Sequence, residues 1–299
     1  MSVPITVALH AVVCAVSEGT PRVLTIGTDG PPALPFGPFD PQRDRTLELG
    51  LRRWVREQTA LRMGHVEQLY TFGDRGRVGS DDHVLSVGYL ALTRVEEPDA
   101  AWRSWYACLP WEDWRSGRPA TLDRILPTLR AWAESAPDDR PPSISLGRLA
   151  RFKLLFDLWD EERVLERYEL LYEAGLVREA MTDGRANEHA LMEATGRPLA
   201  FDHRRILATA IARLRGKMKY RPVVFELMPD EFTLGELQAT VETLFGKPLH
   251  KQNFRRLVER GALVEPTGAV ANTGGRPASL YRFQREVLSE RPVPGLKIN

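Results

Sequence analysis

Cysteine is scarce: only Cys14 and Cys108 occur in 299 residues. With no CxxC pair and no Cys/His cluster, neither a disulfide framework nor a zinc site is supported. Two lone thiols fit a reducing, cytoplasmic setting. No stretch approaches the roughly 20 consecutive apolar residues of a membrane-spanning helix. The apolar run Ile5–Val16 has no basic segment before it, as a secretory leader would. His10 interrupts that run, and Ile5, Val7 and Leu9 alternate with smaller or polar residues, so it is predicted to be a buried β-strand. Internal repeats and low-complexity tracts are missing too, which excludes solenoid architectures.

The chain also lacks net charge, at +1 overall, but the balance is uneven. Residues 201–285 hold 15 Lys/Arg against 8 Asp/Glu, leaving 26 basic and 32 acidic residues elsewhere. A basic segment joined to an acidic one points to a polyanionic partner for the C-terminal part, although a solvated basic surface reads the same way. The length allows two compact domains.

The first third reads as strands and turns, with β-rich runs at Ile5–Val16, Arg22–Ile26 and His83–Thr93. Between them Thr46–Leu61 places Leu47, Leu51, Trp54, Val55 and Leu61 mostly on one helical face, and Thr121–Glu134 is a second predicted helix. The polar, proline-rich segment Ala136–Pro142 marks a boundary. Beyond it, helices are predicted at Leu146–Trp159, at Glu161–Ala174 with Gly175 as its stop, and at Asp202–Lys219. Phe152, Phe156, Trp159, Tyr168 and Tyr172 recur at helical spacing and read as core or subunit interface.

The C-terminal pattern is more specific. Thr233 and Glu236 form a capping box for a helix running to Phe245, and Gly246-Lys247-Pro248 makes a turn. A second short helix, His250–Arg260, ends at Gly261. Its Leu249, Phe254, Leu257 and Val258 face inward, leaving Lys251, Gln252, Arg255 and Arg256 outward. Lys, Gln, Asn253 and Arg near the start of such a helix suit major-groove reading, where Arg pairs with guanine and Gln or Asn with adenine. A hairpin follows, from Leu263-Val264 through Gly274-Gly275-Arg276-Pro277 to Leu280–Phe283. It has the form of a wing with Arg276 at its tip, suited to phosphate or minor-groove contact. Candidate DNA contacts are therefore Thr233, Lys251, Gln252, Asn253, Arg255, Arg256 and Arg276.

Leu34-Pro35-Phe36-Gly37-Pro38-Phe39, the helix ending Arg53-Trp54-Val55-Arg56-Glu57-Gln58-Thr59-Ala60-Leu61, and Glu67-Gln68-Leu69-Tyr70-Thr71-Phe72-Gly73-Asp74 together resemble the Nudix-related transcriptional regulators. The C-terminal runs Asp202-His203, Phe232-Thr233-Leu234, Asn253-Phe254-Arg255-Arg256, Gly275-Arg276-Pro277 and Leu280-Tyr281-Arg282-Phe283 resemble the same family. The resemblance implies an α+β chain: a Nudix-like α/β/α sandwich, a helical middle, and a C-terminal winged helix-turn-helix. The divisions are a ligand-sensing domain at 1–136, a helical insertion at 143–200, a winged helix at 201–285 and a tail at 286–299.

A working Nudix box, GX5EX7REUXEEXGU, presents glutamates to Mg²⁺, a hard cation that demands oxygen ligands in near-octahedral geometry. Anchored on Arg53, the glutamate positions here hold Arg45, Trp54 and Gln58, and only Glu57 survives. Ala60 replaces the closing glycine, and Gly37 lies two residues too early. The expectation is a domain that binds a nucleotide without cleaving it, with no cofactor and with ADP-ribose, NAD or ATP as effector. Candidate ligand residues are Phe36, Arg53, Glu57, Tyr70 and His83. Phe36 and Tyr70 also fit a core role, His83 a loop histidine, and Arg53 with Glu57 an i,i+4 ion pair. The leading expectation is a dimeric, ligand-responsive repressor of NAD-metabolism genes acting on double-stranded DNA. Two alternatives stay open: an active Nudix diphosphohydrolase with a DNA-binding appendage, and a nucleotide-sensing adaptor for protein partners.

Overall fold

The computed structural model describes residues 5–73, 83–95, 99, 101–135, 147–187, 191–271 and 277–285. The linker 136–142, Arg276 and the tail 286–299 fall outside them. In the first part, strands β1 (Ile5–Ser17), β2 (Thr20–Leu24) and β3 (Phe36–Pro38) precede helix α1 (Leu47–Thr59). Strands β4 (His65–Phe72), β5 (His83–Leu92) and β6 (Trp102–Ser104) complete a six-stranded sheet in the order β4-β5-β1-β2-β6, with β3 also on β1. The β1–β5 pair is parallel and the other pairs are antiparallel.

The apolar run of β1 is continuous because both faces of the strand are covered. Leu9, Ala11, Val13 and Ala15 share one cluster with Leu51 and Val55 of α1. Val12 and Cys14 point the other way, into a larger cluster that runs through the middle segment and residues 206–218 to residues 232–263. Thr46 caps α1 by accepting the Leu49 N–H at 3.2 Å. The helix stops at Thr59, two residues short of its predicted end, because Ala60 turns left-handed at φ 57°. Strand β2 is likewise shifted from the predicted Arg22–Ile26, and Ile26 makes only an isolated bridge to Ala33.

Short helix α2 (Trp105–Cys108) and a 3-10 turn at Pro110–Glu112 lead into α3 (Thr121–Glu134), which has the predicted bounds. The predicted helix Leu146–Trp159 is shorter: α4 (Arg148–Phe152) widens into a π turn at Lys153–Asp157 and ends before Trp159. Next come α5 (Val164–Glu173), closed by Gly175 at φ 74°, and α6 (Arg178–Thr182). Helix α7 (His203–Tyr220) follows the predicted span within a residue. Phe152, Phe156, Tyr168 and Tyr172 are buried in the same cluster as Val12 of β1 and Ile211 of α7, so the middle segment is part of a shared core.

A two-residue strand β7 (Phe232–Thr233) precedes α8 (Leu234–Phe245), α9 (Lys251–Gly261), β8 (Val264–Ala271) and β9 (Ala278–Phe283). The three strands form a second sheet in the order β7-β9-β8. Gly261 is the last residue of α9 rather than its stop; Ala262, at φ 46°, takes the left-handed position.

One buried polar network fastens this last part to the first. Glu112 is fully buried and accepts from Arg167 Nε at 2.6 Å and Nη2 at 2.8 Å, and from Arg215 Nη1 at 2.8 Å. Arg215 also donates to the Leu244 carbonyl at 2.9 Å and the Glu161 carbonyl at 3.1 Å. Tyr106 donates to the Thr243 carbonyl at 2.8 Å. Gly246, at φ 75°, is required there, since a Cβ would stand 2.4 Å from the Glu112 carbonyl oxygen. Burial by itself would raise the Glu112 carboxyl, yet the charges and hydrogen bonds of Arg167 and Arg215 hold it below its ordinary range. At the rim, Glu161 accepts from Lys219 at 2.9 Å and Lys247 at 3.0 Å.

Removing one member of a buried ion network strands the others, at about 3–5 kcal/mol. Glu112→Ala is expected to lower unfolding stability by that amount in denaturant titrations; a loss below about 1 kcal/mol would show the network to be dispensable. Acid sensitivity follows from Glu161, where burial pushes the carboxyl up but hydrogen bonds from Lys219 and Lys247 outweigh it and hold it at about 2. A carboxylate depressed in the folded state stabilises above its unfolded value and loses that contribution as pH falls. Stability is therefore expected to decline from the ordinary 4.5 toward about 2. Glu161→Gln should flatten that decline in denaturant unfolding followed across the range, whereas an unaltered profile would remove Glu161 from the acid response.

Candidate nucleic-acid interface and ligand face

Helix α9 is built to show a polar face. Phe254 and Val258 are buried, while Lys251, Gln252, Asn253, Arg255 and Arg256 are all exposed. The first turn of α9 carries no acidic residue, so its positive dipole end and basic side chains add together. Arg256 donates to the Asn253 side-chain oxygen, which holds two candidate base-reading groups in one orientation. Strands β8 and β9 pair from Val264↔Phe283 to Ala271↔Ala278, giving the predicted hairpin, whose tip with Arg276 lies outside the described residues.

Thr233 stands apart from the other candidates. It is buried, its hydroxyl accepts the Glu236 N–H at 3.1 Å, and its own N–H donates to Glu236 Oε2 at 2.7 Å. The capping box is thus formed as expected, and burial sets Thr233 apart from the exposed DNA-contact candidates of α9.

On α1 the box arginine Arg53 and the substituted positions Trp54 and Gln58 act as braces. Arg53 donates to both oxygens of the nearly buried Asp44, at 2.9 and 2.7 Å, and to Glu57 at 3.3 Å. The hydrogen bond from Arg53 holds the Asp44 carboxyl below its ordinary range and the guanidinium above its own. Gln58 pairs with the backbone of Phe36 like a neighbouring strand, accepting its N–H at 3.1 Å and donating to its carbonyl at 2.8 Å. Trp54 donates to the Pro38 carbonyl at 2.9 Å and fills the space over Gly37, where a Cβ would come within 2.2 Å of the indole. Among the described residues no group of three or more His, Cys, Asp or Glu side chains could hold a metal. Of the box carboxylates Glu57 is the one present, and it is paired with Arg53 and lies 4.0 Å from Arg43, a poor donor set for Mg²⁺.

Phe36 is half-buried in an aromatic nest that the sequence reading missed. It stacks on His10 with a 5.8 Å centroid separation and meets Phe201 and His203 edge-on, each at 5.5 Å. His203 Nδ1 accepts the Leu34 N–H at 2.9 Å, so its proton sits on Nε2 and is donated to His10 Nδ1 at 3.1 Å. Phe201 is 42% exposed and takes a left-handed φ of 54°, unusual for a bulky side chain. Of the four rings, Phe36 and His203 lie in the family-like runs, while His10 and Phe201 do not.

The remaining candidates spread along the sheet. Phe36, His10 and Gly88 share one row across the strands, and Tyr70 adjoins Gly88 at the bulge of β4. With strands about 4.8 Å apart, Phe36 and Tyr70 are roughly 14 Å from each other. Tyr70 is 60% exposed and touches Phe72 edge-on. His83 opens β5, roughly 17 Å along the strand from Gly88, and so lies away from that row.

Residues 224–283 match the model of the NrtR DNA-binding winged helix domain. The ADPR responsive transcriptional repressor NtrR of Acinetobacter baylyi is 46% identical over 85 residues, covering 28% of this chain and 34% of that relative. The sequence match thus spans about a third of the relative's length. In fold, the chain is similar to Shewanella oneidensis NrtR in complex with a 27mer DNA, at 23% identity and a TM-score of 0.55 over 95% of each chain. A second structure of that protein gives 22% identity and a TM-score of 0.56 over 95% of this chain and 96% of the other. A MutT/nudix family protein from Enterococcus faecalis gives 17% and 0.53 over 95% of this chain and 88% of the other. Residues 224–283 are an NrtR-type DNA-binding winged helix, carried by a chain that has the Nudix-plus-winged-helix fold of the Nudix-related regulators.

Proposed function

We propose that this protein is a DNA-binding transcriptional repressor whose Nudix-like domain senses a nucleotide, ADP-ribose in first place, without hydrolysing it. The observation that carries the reading is the exposed face of α9, with Lys251, Gln252, Asn253, Arg255 and Arg256 on a matched winged-helix domain. Arg276, which the sequence pattern assigns to the turn of the hairpin, completes the proposed contact set, and the buried Thr233 leaves it. The name of the Acinetobacter relative favours ADP-ribose as effector over NAD or ATP, and the likeness to these regulators favours genes of NAD metabolism as targets. A homodimer reading two half-sites on successive turns of the duplex suits a single winged helix per chain.

The ligand face in this reading is the rim at β3, with Phe36 and the exposed ring of Phe201 for stacking on the sheet face away from α1, Arg53 and Glu57 of α1 across the rim, and Tyr70 at the far end of the row. His83 is too far along β5 to join it. For a bound effector to switch DNA binding it must prefer one arrangement of the winged helices over the other. Hydrolysis is not part of the proposal, because Arg53, Trp54 and Gln58 are committed to Asp44, Pro38 and Phe36 respectively.

The decisive experiment is a gel shift with DNA from the protein's own promoter and from nearby NAD-metabolism genes, with and without ADP-ribose, NAD and ATP. Specific binding altered by ADP-ribose is the expected result. Arg255→Ala and Arg256→Ala should each cost about 1–3 kcal/mol. Operator binding by both variants at parental strength would remove α9 from the recognition role. No specific binding under any condition would favour the adaptor reading. Incubation of ADP-ribose with the protein and Mg²⁺ should give no turnover; turnover abolished by Glu57→Gln would restore the hydrolase alternative.

A further inference from the structure

On the side of the sheet away from α1, an open cavity of about 1170 Å³ lies between α2, α3, α6 and the 193–198 turn. Its volume exceeds the roughly 300–1,000 Å³ common for small-molecule pockets, so a nucleotide-sized molecule has room. Arg124, Arg178 and Arg197 line it from three separate elements, against one lining carboxylate, Glu193. Among the described residues none of these guanidiniums has a carboxylate at salt-bridge distance. Arg167 and Arg215, by contrast, are both matched by Glu112. The cavity continues on both sides of Pro198 into lobes of about 500 and 480 Å³, and Arg197 and Arg178 stand at the two junctions.

We propose that this cavity is a binding site for a phosphorylated nucleoside, distinct from the α1 side of the effector face and meeting that face at Phe201, which lines the lobe at Arg178. Three guanidinium forks that line one space, without a carboxylate partner among the described residues, match phosphate oxygens, which guanidiniums bind in bidentate fashion. Met181 and Met192 supply adaptable apolar wall for a base or sugar between them. The turn that carries Arg197 is firmly seated. Gly196, at φ 84°, packs so closely that a Cβ would come within 2.6 Å of the Cys108 carbonyl oxygen, and the Arg197 N–H donates to the Ala107 carbonyl at 2.7 Å. A rigid turn places the guanidinium without the entropy cost of ordering a loop. Ala107 and Pro110 line the same cavity and alternate along the chain with Tyr106 and Glu112, which hold the end of α8. A ligand here therefore lies beside the groups that fasten the winged helix.

The test is isothermal titration of the full-length protein with Mg²⁺-free ATP, alone and in competition with inorganic pyrophosphate. The parent is compared with single and combined Arg124→Ser, Arg178→Ser and Arg197→Ser variants. All three arginines are exposed, so the variants should fold, and thermal unfolding checks this. ATP binding that weakens about tenfold for each arginine removed, and that pyrophosphate displaces, is expected. The proposal is overturned if ATP does not bind the parent, or if the triple variant binds it as the parent does. The second outcome would assign the bound ATP to the effector face at β3, leaving the repressor reading untouched.

Discussion

Glu112 sits without access to water between Arg167 and Arg215, and the arrangement of the rest of the chain depends on that contact. Two guanidiniums and one carboxylate are costly to bury, and the cost is offset only when each donor finds an acceptor. Here the surplus donors of Arg215 are taken up by backbone carbonyls of Leu244, Glu161 and Glu112, and Arg167 reaches the Asp160 carbonyl at 2.8 Å. Those acceptors come from the turn after α2, the segment before α5, and the end of α8. The geometry is satisfied only when all three are in place. That requirement fixes the winged helix on the sheet domain more specifically than apolar contact would, and Trp159 covers the site with its ring facing Arg167, Arg215 and Lys247.

The rewiring of α1 illustrates a different constraint. A helix that binds Mg²⁺ must keep several carboxylates close together and free of cationic partners, which is itself destabilising. Substituting Trp and Gln at two of those positions replaces mutual repulsion with an indole packed on Gly37 and a strand-like amide pair to Phe36, while Arg53, the arginine of the box itself, pairs with Asp44. The loop before α1 is thereby tied to the helix, and Phe36 is held where it stacks on His10. A stiff ledge of this kind suits a binding face, since a preorganised surface loses less freedom when a ligand arrives.

The reading of α9 as a DNA-facing helix rests on partition rather than on charge alone. Only Phe254 and Val258 are buried, and the basic and amide side chains of its first two turns remain exposed, where solvent or a polyanion can meet them. The basic excess of residues 201–285 overstated this surface. Arg204 and Arg215 are fully buried, Arg204 on Glu179 and Arg215 on Glu112, while Lys217 and Lys219 pair with Glu67, Glu161 and Glu162.

What the sequence determined by itself is whatever depends on neighbours a few residues apart. The alternation of β1, the capping box of Thr233 and Glu236, the stops at Gly175 and Gly246, and the bounds of α3 and α7 all follow from such short-range terms, and all were legible. So was the loss of the box carboxylates, because a fixed motif spacing reports residue identity directly. The groups that depend on pairing across the chain were not legible. Glu112 meets Arg167 and Arg215 over separations of 55 and 103 residues, and His10 meets His203 over 193. In the sequence these are ordinary charges and a lone histidine. Only the tertiary structure removes them from water, and desolvation is what turns a surface-type residue into one that must find a particular partner. The same holds for Arg124, Arg178 and Arg197, which lie far apart along the chain and become one cationic site only when α3, α6 and the 193–198 turn close around a common space.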